Sequence, residues 1–201
     1  MTLALLLAAG RGARLGAPKA LVDLAGRTAL QRCLELLRAG GATELRCVLA
    51  PGMDEAAAQA TRLGARVVVN QAPERGQTAS LKAGLAAGPV GAEAFLLHTV
   101  DHPLVQPADV RALLAAFAAR PAGIAVVVPS VDGRRGHPAL YAAALADEFL
   151  ALTDGQPGHR VLRARPARVL HLPLDDRWLV RDIDTPVDLA DARAHLRGTA
   201  P

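Results

Sequence analysis

The sequence predicts a three-layer α/β/α fold on a mostly parallel, twisted β-sheet. Short apolar runs typical of buried strands alternate with segments of helical periodicity from one end of the chain to the other. The first of these runs begins directly at the N-terminus and reads as a buried strand. No repeat, linker or low-complexity tract divides the 201 residues, so we expect a single domain over residues 1–201 with one continuous core.

The predicted elements follow in a regular order. The candidate strands cover residues 3–9, 45–49, 66–69, 94–100, 124–128 and 168–172. Between the first two, Thr28 and Gln31 have the spacing of a capping box, apolar residues follow at helical spacing, and Gly40 ends the helix. Further helices are predicted over residues 53–63, 78–87, 107–120, 142–152, 157–163 and 186–196.

The composition favours small anionic ligands. The net charge of +4 comes from 21 Arg and two Lys against 19 acidic residues, a usage that a GC-rich coding bias also explains. Nucleic-acid binding calls for aromatic platforms beside the basic groups, and the chain has only three Phe, one Tyr and one Trp. We therefore expect no nucleic-acid partner.

The chain is expected to be cytoplasmic. No run approaches the ~20 apolar residues of a membrane span, and no basic residue precedes the N-terminal apolar run as in a signal peptide. Cys33 and Cys47 fall in a predicted helix and strand without a CxxC pair. They are interpreted as buried small apolar residues and not as a disulfide or zinc site.

A glycine-rich loop follows the first strand. Residues 10–19 contain Gly10, Gly12 and Gly16 together with two arginines and Lys19. Glycines let backbone N–H groups approach phosphate oxygens closely, and the cations neutralise the phosphate charge. The spacing is neither that of the dinucleotide fingerprint, because position 15 is Leu, nor that of the P-loop, because Lys19 precedes Ala20.

Carboxylates follow two later apolar stretches. Asp101 stands at the tip of the fourth strand, and Asp182 and Asp184 alternate along an extended segment with Ile183 pointing to the core. Mg²⁺ takes few protein carboxylates and bridges to substrate phosphates, so we predict that Asp101 and Asp184 hold Mg²⁺. The alternatives are that Asp101 caps the next helix and that Asp182 and Asp188 serve the dipole of the last helix.

Two further segments carry weaker signals. Asn70 follows the third strand, and small polar residues from Gly76 to Ser80 open a helix whose free N–H groups suit a nucleobase. The same pattern fits an ordinary capped helix. His137, in a basic loop that enters a strand, is compatible with contact to an acceptor substrate and with a structural turn, and the sequence does not choose.

The loop also matches a family signature. The pattern L-A-[AG]-G-x-x-x-R-[ML]-G-x-x-K belongs to nucleotidyltransferases that activate sugars and cofactors, and its fixed positions are all present: Leu7, Ala8, Ala9, Gly10, Arg14, Leu15, Gly16 and Lys19. With the Asn70, Asp101, His137 and Asp184 segments in the same order, the chain resembles the molybdenum cofactor cytidylyltransferases of the MobA-like NTP transferase superfamily. Ala9 looks like the cytidylyl form, since guanylyl relatives tend to have Gly there.

The resemblance implies a Rossmann-like nucleotidyltransferase fold of the glycosyltransferase-A type. It implies transfer of CMP from CTP to the terminal phosphate of molybdopterin, with release of pyrophosphate and possible transient contact with a molybdoenzyme or its chaperone. It implies catalytic roles for Arg14, Lys19 and Asp101, and binding of Mg²⁺ by Asp101 and Asp184. Acceptor contacts fall to His137 and Arg160. Nucleotide binding falls to Leu7, Ala8, Ala9, Gly10, Arg11, Gly12, Arg14, Lys19, Asn70, Gly76 and Ser80.

The chain departs from the family pattern at two places. His102 stands where the family has Gln, and residues 154–160 keep only the second half of a Gly-Asp-x-Gly-x-Arg segment, with Gly158 and Arg160. That segment should border the acceptor site. Two alternatives therefore stay open: an NTP transferase acting on a sugar or polyol phosphate, and a catalytically silent nucleotide-binding relative.

Overall fold

The computed structural model describes residues 2–88, 93–153 and 155–198, and Asp154 lies outside the described residues. The strands are β1 Thr2–Leu7, β2 Glu44–Leu49, β3 Arg66–Val69, β4 Ala94–Thr99, β5 Val126–Val131, β6 Arg134–Arg135, β7 Ala139–Ala142 and β8 Val169–Pro173. The helices are α1 Ala29–Ala39, α2 Asp54–Arg62, α3 Gln77–Ala86, α4 Pro107–Ala118, α5 Ala146–Leu150, α6 His159–Ala164 and α7 Pro186–Gly198.

The strands form one sheet in the order β3-β2-β1-β4-β7-β5-β6, with β8 paired to β5. The pairs β1–β2, β1–β4, β2–β3 and β5–β8 are parallel, whereas β7 runs antiparallel to both β4 and β5, and β6 antiparallel to β5. The sheet is therefore mostly parallel, as predicted.

Helices cover both faces of the sheet. On one face, α1, α2, α4 and α7 pack through residues such as Leu34 and Leu113 against strand residues that include Leu6 and Leu96. On the other face, α3, α5 and α6 pack on the alternate strand residues, among them Leu5. Each face of the sheet is thus covered by its own layer of helices, and the prediction of three α/β/α layers is confirmed.

The structure corrects several local predictions. Residues 134–135 pair as β6 instead of forming a basic loop, and the region predicted as one helix over 142–152 is a 3-10 turn at Ala143–Leu145 followed by the short α5. Thr28 accepts a hydrogen bond from the Gln31 backbone N–H at 3.1 Å, but the Gln31 side chain donates to Glu35 instead of completing the capping box. Cys33 and Cys47 are buried and free, as expected.

Strand register brings the sequence-distant functional segments together. Leu7, the last residue of β1, pairs with Thr99, the last residue of β4. The glycine-rich loop and Asp101 therefore leave the sheet side by side at its carboxyl edge, where ligands bind in open α/β sheets. The backbone N–H of Ile183 donates to the Asp101 carbonyl at 2.8 Å, which places Asp184 at the same edge.

A carboxyl pair, Asp109 and Asp176, lies at the start of α4. Asp109 accepts from the Gln106 backbone N–H at 3.1 Å, and Asp176 accepts from the Trp178 backbone N–H at 2.9 Å. Burial and the adjacent Asp176 carboxyl raise the pKa of Asp109 to about 6. A carboxyl pKa raised on folding means that the folded state binds more protons, so stability is lost as the pH rises from about 4 through about 6.

Replacing Asp109 by Asn is expected to stabilise the protein at pH 7.5. The amide keeps an oxygen for the Gln106 N–H and supplies a permanent N–H to Asp176, so it removes the repulsion. We expect the melting temperature to rise by about 2–4 °C, the shift that ~1 kcal/mol produces at this chain length. Scanning calorimetry at pH 4.5 and 7.5, with the exposed Asp54→Asn as control, measures it. An unchanged or lower melting temperature at pH 7.5 contradicts the account.

Candidate active site

The glycine-rich loop closes through a turn in which Leu15 N–H donates to the Gly12 carbonyl at 2.8 Å. Gly12 has φ +61°, and a Cβ there would lie 2.0 Å from the carbonyl oxygen of Ala17. No other residue type fits this approach without moving the backbone. The loop therefore returns tightly to Lys19, which begins a short 3-10 helix at the cavity wall.

Lys19 joins the two carboxylates that the sequence singles out. Its Nζ donates to Asp101 Oδ2 at 3.1 Å and makes a short contact with Asp184 Oδ1. Arg14 lies at the outer side of this group, with its guanidinium 3.9 Å from Asp184 Oδ2 and a largely exposed side chain. Burial opposes the Lys19 charge, but the two carboxylates outweigh it, so the pKa of Lys19 is raised and the ammonium stays protonated.

Asp101 is also held from its other side. His102 Nδ1 lies 3.1 Å from Asp101 Oδ1 and 3.0 Å from the Thr99 hydroxyl. Burial alone would raise the Asp101 pKa, but His102 and Lys19 hold it well below its usual range. Asp101 is thus an ionised carboxylate with both oxygens oriented. His102, where the family has Gln, supplies one of these contacts.

The carboxylates fit a divalent cation bound with a nucleotide. Within the described residues, no group of three or more His, Cys, Asp or Glu side chains is arranged to hold a metal ion by itself. Asp101 and Asp184 nevertheless converge on one cationic group, the Lys19 ammonium. Two hard oxygen donors, completed by phosphate oxygens and water, are the set that Mg²⁺ takes in phosphoryl-transfer sites.

A cavity of about 350 Å³ opens above this group. Ser80, 5% exposed, lines it, and Asn70, 4% exposed, lies behind Ser80. The Asn70 amide donates to Ser80 Oγ at 3.0 Å, and its oxygen accepts from the Ala72 N–H at 3.0 Å. With its oxygen used as the acceptor for Asn70, the Ser80 hydroxyl keeps its proton for a ligand. The lining residues are Leu7, Ala9, Gly10, Lys19, Pro73, Gly76, Gln77, Ser80, Thr99, Val100 and Asp101.

A second cavity of about 440 Å³ adjoins the first, and Leu7, Gly76 and Gln77 line both. We call it the acceptor cavity because His137, for which the sequence leaves an acceptor contact open, lines it. His137 Nδ1 lies 3.4 Å from the Leu97 carbonyl. Burial lowers the pKa of His137 to about 4, so the imidazole is neutral at neutral pH. Its walls come from β5, β7, α3 and the segment around α6.

The predicted site residues fall into three groups. Leu7, Ala9, Gly10, Lys19, Gly76, Ser80 and Asp101 line the smaller cavity, and His137 lines the acceptor cavity. Asn70 and Ala8 are buried behind the site, and Asp184 joins it through Lys19. Arg11 and Arg14 are exposed, Gly12 is half-buried, and none of the three lines a cavity. Arg160 is exposed and lines neither cavity, whereas its neighbour His159 lines the acceptor cavity.

Several lining residues escaped the sequence reasoning. Tyr141 and Phe149 follow the apolar pattern of core residues, which gives no signal of a cavity wall. Arg75 and Arg135 are single arginines among 21, and nothing in their spacing distinguishes them. Gln77 stood within the predicted helix start, but only the structure shows that it lies where the two cavities meet.

Fold and site together define an α/β nucleotide-binding protein with a glycine-rich phosphate loop and paired carboxylates at the sheet edge. The chain belongs to the family of MobA-like NTP transferase domains, which matches residues 4–169. The expected superfamily and its nucleotidyltransferase fold are thereby confirmed.

Two curated relatives match over 90% of both chains. A nicotine blue oxidoreductase from Paenarthrobacter nicotinovorans is 35% identical, and a probable molybdenum cofactor guanylyltransferase from Opitutus terrae is 30% identical. Their names differ in both reaction and substrate. Membership of the family therefore establishes an NTP transferase domain without specifying base or acceptor.

Solved structures show the same architecture. Rv0371c from Mycobacterium tuberculosis H37Rv superposes with a TM-score of 0.80 at 28% identity, covering 96% of this chain and 97% of that one. A manganese complex of the same protein superposes with a TM-score of 0.76 at 25% identity, covering 96% of this chain and 98% of that one.

In the described part of the present chain, no helix is long and apolar enough to cross a membrane.

Proposed function

We propose that the protein is a cytidylyltransferase that transfers CMP from CTP to the terminal phosphate of molybdopterin. The observation that carries the proposal is the Lys19 ammonium held between Asp101 and Asp184, beside a glycine-rich loop and at the wall of the smaller of two adjoining cavities. That arrangement supplies charge neutralisation and positioning, which are the main needs of phosphoryl-type transfer.

The proposed step is an in-line displacement. An oxygen of the acceptor phosphate forms a bond to the α-phosphorus of CTP, the bond to the β-phosphate bridging oxygen breaks, and pyrophosphate leaves. The acceptor phosphate is already ionised, so no general base is needed. Lys19 and the loop N–H groups bind the triphosphate, and Arg14 reaches it from the outer side. Mg²⁺, held by Asp101 and Asp184, would neutralise charge on the phosphates when bound.

The preference for CTP rests on two residues. Ala9 is the cytidylyl form of the signature and lines the smaller cavity together with Ser80. The Ser80 hydroxyl, fixed by Asn70, offers a donor that cytosine accepts at O2 or N3. The small side chain of Ala9 leaves room for the base beside it. Guanine O6 also accepts a hydrogen bond, and one relative is a probable guanylyltransferase. GTP is therefore the competing nucleotide to test.

The acceptor cavity supports a phosphorylated molecule with a ring. Arg75 and Arg135 line it and favour an anionic ligand. Phe149 and Leu162 supply apolar wall that suits the faces of a flat ring. A pterin with a phosphate on its side arm has both features.

We propose that the chain works as one nucleotidyltransferase domain in the cytoplasm and transfers its product to a molybdoenzyme or its chaperone.

A pyrophosphate-release screen tests the proposal. CTP, GTP, ATP and UTP are each combined with molybdopterin, with and without bound molybdenum, and with sugar and polyol phosphates, in Mg²⁺ buffer. We expect release with CTP and molybdopterin, at least tenfold faster than with GTP. Turnover only with a sugar or polyol phosphate favours the alternative acceptor. CTP binding without turnover in any combination identifies a silent relative.

The nicotine blue oxidoreductase relative adds one further arm to the screen. NADH and NADPH oxidation is followed optically with a quinonoid dye as electron acceptor. Because Lys19 and the glycine-rich loop offer the charge neutralisation that phosphoryl-type transfer needs, we expect no dye-dependent oxidation above the buffer rate. Rapid oxidation, together with no pyrophosphate release, overturns the proposed function.

A further inference from the structure

The acceptor cavity contains a polar group whose hydrogen-bonding capacity the described residues leave unused. Tyr141, in β7, is 5% exposed, stacks on Phe95 with ring centroids 5.2 Å apart, and meets the edge of Phe149 at 5.2 Å. No described group hydrogen-bonds its hydroxyl. A phenylalanine would make the same ring contacts. The hydroxyl oxygen is not among the fully buried atoms that lack a partner in the described residues, so it is open to the cavity, and ring packing alone does not explain the tyrosine.

The surroundings of Tyr141 limit what the hydroxyl can meet. Much of the cavity wall is apolar, formed by Leu81, Leu97, Val128, Ala139, Phe149 and Leu162. Hydroxyl groups of a ligand that face this apolar part of the wall would be left unpaired, at a cost for each one. A flat ring instead packs its faces on apolar side chains and presents polar atoms only at its edge.

The lining residues separate the expected positions of the ring and of the reacting phosphate within the cavity. Leu7, Gly76 and Gln77 line both cavities, so the reacting phosphate of an acceptor must lie near them, whereas Tyr141 lines the acceptor cavity alone. Burial raises the pKa of Tyr141, and the positive charge of Arg135 lowers it only in part. The phenol is therefore neutral and able to donate a hydrogen bond.

We infer that Tyr141 is a specificity-determining residue whose hydroxyl hydrogen-bonds a polar atom on the ring edge of the acceptor. The inference rests on the proposed function, because it takes the acceptor to be a ring-bearing phosphate. It adds how such a ring is distinguished from an apolar ring of similar size. The stacked Phe95 and the Phe149 edge fix the phenol in one orientation, so the hydroxyl addresses one position of the ligand.

A binding experiment with two fluorescent probes tests this. Pterin-6-ylmethyl phosphate has polar atoms on its ring edge, and 1-naphthyl phosphate is a fused bicycle without any. Both are titrated into wild type and Tyr141→Phe without nucleotide or metal. We expect Tyr141→Phe to weaken the pterin probe about tenfold, the effect of one hydrogen bond in a largely water-excluded site, and to change naphthyl binding less than twofold.

Controls separate this role from a structural one. Thr61→Val removes an exposed hydroxyl outside both cavities and should change neither affinity. Equal losses for both probes indicate packing and overturn the inference. Unchanged pterin affinity in Tyr141→Phe, or a wild type that binds neither probe, overturns it as well. Because no turnover is involved, absence of pyrophosphate release with intact probe discrimination defeats only the proposed function.

Discussion

Lys19→Met is expected to lower kcat by about 100-fold or more, the usual loss on removing one preorganised charge contact to a developing anion. Methionine matches the length of the aliphatic part of the lysine side chain and lacks only the ammonium that lies between Asp101 and Asp184. Lys19→Arg should recover little, because a planar guanidinium cannot occupy the position of a compact ammonium. Steady-state pyrophosphate release under saturating CTP and acceptor measures the effect.

The same variant gives a second readout that a merely unstable protein would not show. Without Lys19, the two carboxylates face each other with no cation between them, so Lys19→Met should melt at a lower temperature than wild type in chelator. Added Mg²⁺ should restore more stability to the variant than to wild type, since the ammonium no longer competes for the carboxylates. Arg38→Met, an exposed cation at the end of α1, is the control. Near-wild-type turnover of Lys19→Met, with the fold intact by circular dichroism, contradicts the assignment.

Asp101→Asn is expected to cost a similar factor, about 100-fold or more in kcat. The amide retains an oxygen for His102 but loses the charge that faces Lys19 and the proposed cation. Because the wild-type pKa of Asp101 lies well below its usual range, its ionisation does not limit activity at pH 5–9. The loss in Asp101→Asn should therefore be constant across that interval, measured as a pH profile of kcat.

Asp175→Asn provides a matched control, since it removes an exposed carboxylate from a loop outside both site cavities. Its turnover should remain within twofold of wild type. An Asp101→Asn variant that keeps its activity, or that regains it at one end of the pH range, shows that the carboxylate does not act as a permanent charge.

Much of the architecture was readable from the sequence because its signals are local. The six predicted strands correspond to β1–β5 and β8, with ends shifted by up to three residues. The missed strand β6 is two residues long and lies beside Gly133 and Gly136, which leaves no strand pattern to detect, whereas β7 was expected only as the strand that the His137 loop enters, without bounds. The antiparallel insertion of β7 between β4 and β5 comes from long-range pairing, and β6 pairs antiparallel with β5 at the end of the strand order.

The candidate site was predictable only in part for the same reason. The spacing of its glycines predicts the glycine-rich loop. The positions of Asp101 and Asp184 after apolar stretches predict these two carboxylates. The contacts of Lys19 span 82 and 165 residues of chain, so no local pattern contains them. The prediction that Arg160 contacts the acceptor failed for another reason. The helix α6 begins at His159 instead of residue 157, and Arg160 lies on its exposed side.

The three residues that line both cavities have a consequence for how the protein can change. Leu7 ends a central strand, Gly76 is the N-cap of α3 and Gln77 is its first residue, so the end of β1 and the start of α3 form a wall that the two cavities share. Any substitution there alters the shape of the two compartments simultaneously. The affinities for the two substrates are thus thermodynamically linked through a common wall. A lineage that exchanged one substrate at these positions would have had to readjust its fit to the other.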